Sequence, residues 1–401
     1  MSWEKVRLGD VTDSCLGKML DKAKNKGEYQ PYLANVDVRW GSFNLDNLSE
    51  MRFEDNEQER YGLKYGDLVI CEGGEPGRCA IWKDQIPNMK IQKALHRVRV
   101  HDCLDYRFLY YWFLLAGKTG ALEQYFTGAT IKHMPGEKLR SVLIDMPPIE
   151  VQRHIANILW VYDDLIENNQ KQIKLLEEAA QRLYKEWFVD LRFPGHETTP
   201  IVNGVPEGWR VDRADSFFDM SIGKTPPRAE KQWFTDGTTG TPWVSISDMG
   251  SSGVYVFHTS EGLTEDAISK HNIKVVSADT VLLSFKLTVG RVSITTGNSC
   301  TNEAIAHFII KDSTLREYVY LYLKCFEYDS LGNTSSISKA VNSKIVKGMP
   351  FIMPDTTVLS QFHQVSRPIF DEIKNRQKVN INLVEARDRL LPKLMSGEIE
   401  V

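Results

Sequence analysis

The sequence contains an internal repeat. Residues 164–183 align without a gap on residues 371–390, and about half of the aligned positions are identical, among them Asn168 with Asn375. That level of identity is far above what unrelated segments share. An internal repeat has to be recognised before any local structure is assigned, because it decides the architecture of the whole chain.

The regions that precede the two repeated segments also correspond, in the same order. Matching pairs are Trp3 with Trp209, Gly17-Lys18 with Gly223-Lys224, Gly77-Arg78 with Gly290-Arg291, and Met146-Pro147 with Met353-Pro354. The repeat therefore predicts the order domain, helix, domain, helix. The expected bounds are residues 1–147 for the first globular domain, 148–193 for the first helix, 194–208 for a linker, 209–354 for the second domain, and 355–401 for the second helix and tail.

Each repeated segment carries a heptad pattern, in which apolar residues alternate at spacings of three and four. The first helix would be about 60 Å long, which is more than a domain of ~150 residues spans. A second long helix is its natural partner, although each helix packing on its own domain is an alternative. Asn169 and Asn380 lie on the seams and are candidates to fix the register, while Pro392 is expected to kink or end the second helix. The predicted interface residues are Ile155, Leu159, Tyr162, Ile166, Ile173, Leu176, Leu183, Ile369, Ile373, Leu383 and Leu390.

The predicted fold class is α+β. Two similar globular domains of mixed strands and helices are separated by two long antiparallel helices that form a coiled coil. Within the domains, runs such as 68–71 and 280–284 read as strands, and the aromatic-rich stretches 108–115 and 318–324 read as core-packing helices.

Composition limits the function. The net charge is −4, and neither domain has an excess of basic residues, so a chain that grips nucleic acid alone by phosphate neutralisation is disfavoured. DNA binding would need local basic clusters or a partner that adds positive charge. The sequence has no long apolar run and no signal peptide, and its six cysteines form no C-x-x-C pair. We therefore expect neither a membrane span nor a metal site. We do expect a cytoplasmic location.

Basic and polar residues recur at equivalent loop positions of the two domains. Lysine and arginine on glycine-containing loops suit phosphate contacts or bidentate reading of guanine. Solubilising surface residues are the alternative. The candidate DNA-binding residues are Lys18, Arg78, Lys93, Thr130, Lys132, His133, Lys224, Arg228, Lys286, Arg291, Ser336 and Lys339.

Patterns of catalytic residues do not support an enzyme. Asp355, Glu372 and Lys374 match the spacing of a metal-dependent nuclease, but Glu372 and Lys374 fall within the predicted helix, about 25 Å from Asp355. Metal-dependent cleavage would be the test of that alternative. Phosphate-binding loops, zinc-protease helices and nucleophile elbows are absent from the sequence.

Several segments resemble the specificity subunit of Type I restriction–modification enzymes, and the resemblance covers nearly the whole chain. One marker is the helix head 147–156, PPIEVQRHIA, which departs from the family pattern by one inserted valine, Val151. Others are the stretches 183–188, 206–209 and 223–226, and the tail 387–399, RDRLLPKLMSGEI. The second helix head keeps Pro354 and Gln361 only.

The resemblance implies a non-catalytic subunit with two target-recognition domains, each reading one half of a split site in double-stranded DNA. It implies that the helices set the spacer and dock two modification (methyltransferase) subunits, with restriction/translocase subunits beside them. S-adenosylmethionine, ATP and magnesium would then act in those partners, with no cofactor in this chain. A scaffold whose duplicated domains bind protein instead of DNA is the alternative.

Overall fold

The structure is a computed structural model that describes residues 3–21, 23–331 and 341–401. It consists of two compact units. Unit 1 comprises Met1–Ile166 with Asn382–Val401, and unit 2 comprises Glu167–Ile381. Each unit therefore contains part of both repeated segments.

Unit 1 contains the first globular domain, built on a four-stranded sheet of order β2-β10-β7-β8 in which every neighbouring pair is antiparallel. A second sheet has the order β6-β3-β9, and β1 pairs with β11. The helices of the domain are α1 (Gln58–Tyr61), α2 (Tyr106–Thr119) and α3 (Gly136–Arg140). The strands are β1 (Glu4–Arg7), β2 (Thr12–Leu16), β3 (Glu28–Leu33), β4 (Val38–Arg39), β5 (Ser42–Phe43), β6 (Ser49–Phe53), β7 (Leu68–Cys71), β8 (Cys79–Ile81), β9 (Lys90–Ile91), β10 (Leu95–Val100) and β11 (Leu143–Met146).

The core of unit 1 forms where the aromatic helix α2 covers the four-stranded sheet. Phe108 and Tyr111 of α2 are fully buried with Ile155 and Leu159 of the first long helix. Asp105 caps α2 by accepting hydrogen bonds from the backbone N–H groups of its first turn. The aromatic residues of 108–115 therefore pack in the core, as predicted.

Unit 2 contains the second globular domain, with a five-stranded sheet of order β15-β23-β20-β21-β18 and a four-stranded sheet of order β16-β19-β17-β22. Its shorter helices are α5 (Ala214–Phe217), α6 (Ile246–Ser252), α7 (Glu265–His271), α8 (Arg316–Cys325) and α9 (Ser343–Lys347). Its strands are β12 (Ile201–Val202), β13 (Val205–Pro206), β14 (Arg210–Arg213), β15 (Asp219–Ile222), β16 (Phe234–Thr235), β17 (Thr241–Val244), β18 (Tyr255–Val256), β19 (Glu261–Leu263), β20 (Val281–Ser284), β21 (Val292–Thr295), β22 (Cys300–Thr301), β23 (Ile305–Ile309) and β24 (Pro350–Met353).

The two domains share one topology. The order β2-β10-β7-β8 of unit 1 returns as β15-β23-β20-β21 in unit 2, and the pair β1–β11 returns as β14–β24. Even the parallel pair β3–β9 has its counterpart in β17–β22. The duplication inferred from sequence is thus present in the backbone, and the α+β class is confirmed.

The two repeated segments form long helices, α4 (Ile149–Tyr184), which continues into a π-helical turn (Lys185–Val189), and α10 (Thr356–Met395). Gln152 fixes the head of α4. Its side chain is fully buried, accepts from Asp105 N at 2.9 Å and donates to Pro147 O at 2.8 Å. The glutamine of the helix-head marker therefore ties the helix to the domain before it.

Within unit 2 the segments of α4 and α10 contact each other and run antiparallel. Asn169 bonds to Asn380, and the rings of Trp187 and Phe362 lie 5.6 Å apart. The step forward from Asn169 to Trp187 along α4 therefore equals the step backward from Asn380 to Phe362 along α10. Both helix segments also pack on the domain core, so the helices contact their domain and each other.

Within unit 1 the first part of α4 and the last part of α10 are joined through Asp163. Its carboxylate accepts hydrogen bonds from Arg387 at 2.5 Å and from the Tyr111 hydroxyl at 2.7 Å. The predicted interface residues are buried or half-buried in their units. Buried are Ile155, Leu159, Ile166 and Ile373, and half-buried are Tyr162, Ile173, Leu176, Leu183, Ile369, Leu383 and Leu390.

The sequence predicts that Pro392 kinks or ends the second helix, and the second part of that prediction is wrong. Pro392 does not end the helix, because α10 runs on to Met395. A proline in the last turns removes a single donor, and its own carbonyl still accepts, here from Ser396 N at 3.0 Å. Within the residues that the structure describes, no helix is long and apolar enough to cross a membrane.

Candidate nucleic-acid interface

Four loops of unit 1 that hold predicted DNA-binding residues lie side by side. In the first loop, the backbone carbonyl of Lys18 accepts a hydrogen bond from Lys93 N at 2.9 Å. The neighbouring Ala94 O accepts from Glu72 N at 2.9 Å, and Glu72 O accepts from Met134 N at 2.7 Å. The candidates Lys18, Lys93, Arg78 and 130–133, which are far apart in the sequence, are therefore brought onto adjoining loops.

Unit 2 repeats the last two of these bonds, and its Lys224 loop is held by the counterpart of a further unit 1 bond, from Lys18 N to Ile91 O at 3.0 Å. Lys224 N donates to Thr301 O at 2.9 Å, and Phe285 N donates to Ala304 O at 2.9 Å. Val341 N then donates to Phe285 O at 3.2 Å, as Met134 does to Glu72 in unit 1. The predicted residues Ser336 and Lys339 lie outside the described residues.

The hairpin loops at the centre of these groups, which we call the tip hairpins, are residues 72–77 of unit 1 and 285–290 of unit 2. In unit 1, Cys71 N donates to Arg78 O at 2.8 Å, and Gly77 N donates to Cys71 O at 3.0 Å. The bonds that correspond in unit 2 are Ser284 N to Arg291 O at 2.9 Å and Gly290 N to Ser284 O at 3.0 Å. Both hairpins thus have the same backbone hydrogen bonds but carry different side chains.

Arg78 and Arg291 anchor the tip hairpins. Arg78 donates to Asn35 O at 3.1 Å, and Arg291 donates to Ile246 O at 2.5 Å. The two acceptors occupy equivalent positions. In both cases the residue just before the acceptor donates its backbone N–H to the side chain of an aspartate three positions further along the chain. Both guanidinium groups thus have a structural role inside the protein, and their role in reading guanine stays a prediction.

Lys18 is likewise used internally. Its side chain is buried, forms an ion pair with Glu57, and donates to Arg52 O at 2.9 Å. Burial is the largest single influence and would raise the pKa of Glu57, but hydrogen bonds from Lys18 and from the Glu54 backbone, together with nearby positive charge, lower the pKa of that carboxyl. In unit 2 the equivalent Lys224 is exposed, with its ammonium on His271 O at 2.6 Å.

The remaining candidates of unit 1 are exposed. They are Lys93, Thr130, Lys132 and His133. Lys132 makes a loose ion pair with Glu123, at 3.8 Å between half-exposed side chains, and such pairs exchange readily with solvent or another anion. Among the predicted DNA-binding residues of unit 1, these four are the ones that a phosphate could reach without unfolding the loops.

Two of the basic candidates of unit 2, Lys286 and Arg228, lie near Glu303. Burial alone would raise the pKa of this carboxyl, but a hydrogen bond from Thr225 and the charges of Lys286 and Arg228 lower it. Arg228 also stacks over the rings of two aromatic residues at 4.5 Å from each, namely Phe234 and Trp243. Arg228 is therefore held in place by these two rings and by the carboxylate of Glu261, which accepts its hydrogen bonds at 2.7 and 2.8 Å.

Sequence reasoning missed Thr225 and Glu303. The repeat did not single them out, because Met19 and Lys93 stand at the equivalent positions of the first domain. A search for basic residues that recur in both halves also passes over an acidic residue by design. Their proximity is set by the sheet topology of unit 2, which brings the loops after β15 and β22 together.

A buried histidine lies in the five-stranded sheet behind this surface. His307 is fully buried between the hydroxyls of Ser221 and Thr301, at 2.7 Å from each. Burial, with a smaller contribution from the charge of Lys274, lowers its pKa to about 4. It is therefore neutral at physiological pH and holds β15 and β23 together.

The carboxylates of the nuclease-like pattern do not converge. Asp355 caps α10 through Thr357 N at 2.8 Å, while Glu372 lies inside the same helix and pairs with Arg376 at 2.7 Å. Among the described residues, no three His, Cys, Asp or Glu side chains are grouped as a metal ion requires. The pattern is thus explained by a helix cap and a helical ion pair.

Comparison with known proteins agrees with this arrangement. A family model described as "Type I restriction modification DNA specificity domain" matches the chain twice, at residues 1–178 and 206–377. The MjaIX specificity subunit of a Type I restriction enzyme from Methanocaldococcus jannaschii is 29% identical over 84% of this chain and 78% of its own length. The HindI specificity subunit from Haemophilus influenzae is 24% identical over 99% of both chains.

A comparison with solved structures supports the same fold. The crystal structure of a Type-I restriction-modification system S subunit from M. genitalium is similar with a TM-score of 0.56 and 16% identity, and the match covers 98% of this chain and 96% of that one. The two family matches include the tip hairpins and most of each repeated helix. This chain belongs to the family of Type I restriction–modification DNA specificity proteins and contains two copies of the specificity domain.

Proposed function

We propose that the chain is the DNA-reading, non-catalytic subunit of a Type I restriction–modification enzyme, with each globular domain reading one half of a bipartite site. The observation that carries this proposal is the repeated loop frame. Both units hold their tip hairpin with the same backbone bonds and an anchoring arginine, yet one tip reads Gly73-Gly74-Glu75 and the other Lys286-Leu287-Thr288. A fixed frame with different side chains suits two unlike half-sites.

The long helices suit a spacer. Each is continuous and contributes residues to both units, and in unit 2 their contacts keep a strict antiparallel step. We propose that they set the separation of the half-sites and provide the docking surface for two modification subunits and for restriction/translocase subunits. A helix advances by about 1.5 Å per residue, so its length is a simple means of specifying distance.

We place the chemistry in those partners. S-adenosylmethionine would serve the methyltransferase subunits, and ATP with magnesium the translocase. The near-neutral charge of this chain supports such sharing, because partners with basic surfaces could supply many of the phosphate contacts on which DNA affinity depends. We also propose a cytoplasmic location, consistent with six free cysteines.

The experiment is to map N6-methyladenine across the genome in cells with and without the chain, and again after residues 206–355 are replaced by the equivalent segment of another family member. We expect a split motif that depends on the chain and changes in one half only. Replacement of residues 1–147 is the matched control and should change the other half. Methylation that is independent of the chain, or a motif that changes in both halves after a single exchange, would contradict the proposal.

A further inference from the structure

Leu287 occupies an unfavourable position at the end of the second tip hairpin. Thr288 N donates to Lys286 O at 2.7 Å, so the chain reverses around Leu287, whose φ is +61°. This is a γ-turn of the strained, positive-φ kind. The Leu287 side chain is also 79% exposed to solvent, so packing does not compensate for the backbone conformation.

The first tip hairpin has the same turn with a residue that suits it. Glu75 N donates to Gly73 O at 2.9 Å, and the central residue is Gly74 with φ +72°. Glycine adopts this conformation without a steric cost, since it has no Cβ. Unit 2 therefore places a large apolar side chain where the turn itself favours glycine.

Other residues with positive φ show how unusual this choice is. Of the eight non-glycine residues with positive φ in the described part of the chain, six are Asn or Asp, which tolerate that conformation. The seventh, Leu191, packs against the hydrophobic core of unit 2. Leu287 lacks both compensations, and residues held in strained conformations are concentrated at functional sites.

The surroundings of Leu287 indicate the kind of partner. Lys286 precedes it and holds its ammonium 5.6 Å from the centre of the Phe285 ring, and the charges of Lys286 and Arg228 lower the pKa of the Glu303 carboxyl against the effect of burial. An apolar tip next to cations does not suit an apolar protein surface. It does suit the major groove of DNA, which accepts a two-stranded ribbon and presents one apolar group, the 5-methyl of thymine, among polar base edges.

We propose that Leu287 is a specificity-determining residue that packs on the 5-methyl group of a thymine in the half-site read by unit 2. The inference rests on the proposed function. In unit 1 the equivalent Gly74 has no side chain, so the tip hairpin there makes no methyl contact.

The test uses the assembled enzyme and duplexes that carry the mapped motif, in which each thymine of the unit 2 half-site is replaced in turn by deoxyuridine. Deoxyuridine pairs identically but lacks the methyl group. We expect one position at which the replacement weakens binding by about fourfold, the effect of one buried methyl group. Leu287→Gly should weaken binding to the thymine duplex by at least as much and should be insensitive to deoxyuridine.

Two controls keep the test decisive. Leu287→Gly relieves the turn, so its melting temperature should not fall, and loss of binding then reflects the missing side chain. Gly74→Leu is the matched gain variant, because a Cβ on Gly74 meets only the Asn35 side chain, at 3.7 Å and beyond, and it should create a thymine preference in the other half-site. A half-site without thymine, or equal deoxyuridine sensitivity in wild type and Leu287→Gly, would overturn the inference. Absence of any bipartite motif would instead overturn the proposed function.

Discussion

Asn169 of α4 donates a hydrogen bond from Nδ2 to Oδ1 of Asn380 on α10, at 2.9 Å, in a seam whose other positions are mostly apolar. Arg376 donates to Oδ1 of Asn169 at 2.9 Å, so the Asn169 amide is bonded at both ends. If either helix slid by one turn, these groups would face apolar side chains. The pair therefore favours one register out of those that the heptad pattern allows.

The first prediction concerns this pair. We expect Asn169→Leu or Asn380→Leu alone to lower the free energy of unfolding by about 1 kcal/mol, because each removes the hydrogen bond between the two half-buried amides. The double variant should recover much of the loss, with a coupling energy of about 0.5–1.5 kcal/mol. Urea unfolding of the four proteins measures the cycle, and the exposed Asn168→Leu is the control for helix propensity. Additive losses would show that the amides do not act as a pair.

The helices illustrate what the sequence could predict. The heptad spacing and the repeat are enough to place both asparagines on facing seams, because a helix converts sequence spacing directly into position on one face. The prediction that Pro392 ends α10 fails for a different reason. The effect of a proline on a helix depends on which carbonyl groups near the helix end still accept hydrogen bonds. In the folded chain the Pro392 carbonyl accepts one from Ser396 N.

The second prediction separates anchoring cations from exposed ones. We expect Arg78→Met or Arg291→Met to lower the stability of its unit by about 1–3 kcal/mol, because each guanidinium is hydrogen-bonded to a carbonyl that would lose its partner. Differential scanning calorimetry measures the change. Each variant should alter DNA affinity only in proportion to the unfolded fraction, so a stable variant with selectively relaxed base preference would show that these arginines read DNA.

The third prediction concerns Lys132. Lys132→Met should leave the melting temperature unchanged, because its ion pair with Glu123 is exposed and loose. If it contacts a phosphate, the slope of log affinity against log salt for the assembled enzyme should fall by about 1. Lys5→Met is a control on an exposed lysine of β1 that pairs with Asp145 at 3.7 Å, and its slope should match wild type.

The contrast between Lys132 and the two arginines could not be read from sequence. All three follow or adjoin glycine-containing loops, and all three look equally available. What distinguishes them is a carbonyl 43 residues away for Arg78 and 45 residues away for Arg291. Contacts of that range are set by the sheet topology, which local patterns leave open, although the repeat already indicated that both arginines had the same role.

The fourth prediction concerns pH. The pKa of His307 is lowered to about 4, whereas an unfolded histidine titrates near 6.5. Above about pH 6.5 both states are neutral and the group has no effect. As the pH falls from about 6.5 to 4, only the unfolded state takes up the proton, and the free energy of unfolding should drop by up to about 3 kcal/mol. Urea midpoints at several pH values measure this slope.

His307→Gln provides the comparison, because glutamine has no proton to take up and can still bond to one of the two flanking hydroxyls. The variant should be less stable at pH 7.5, but its stability should vary less between pH 6.5 and 5 than that of wild type. Exposed His133→Gln is the matched control for the removal of a histidine. Parallel slopes for wild type and His307→Gln would show that another group is responsible.

The last prediction tests the spacer directly. Because α4 and α10 advance in equal and opposite steps between their two contacts in unit 2, the junction between Lys171 and Gln172 faces the junction between Gln377 and Lys378. A heptad inserted at both junctions keeps Asn169 opposite Asn380 and Trp187 opposite Phe362, although it separates Arg376 from Asn169, because that hydrogen bond crosses the junctions. The insertion lengthens each helix by about 10 Å, or about three base pairs, and turns it by only about 20°. We expect the mapped motif to keep both half-sites and to gain a spacer longer by about three base pairs. A heptad inserted in one helix alone shifts the facing seams past each other and should abolish methylation, whereas an unchanged spacer in the double insertion would show that something other than helix length sets the separation.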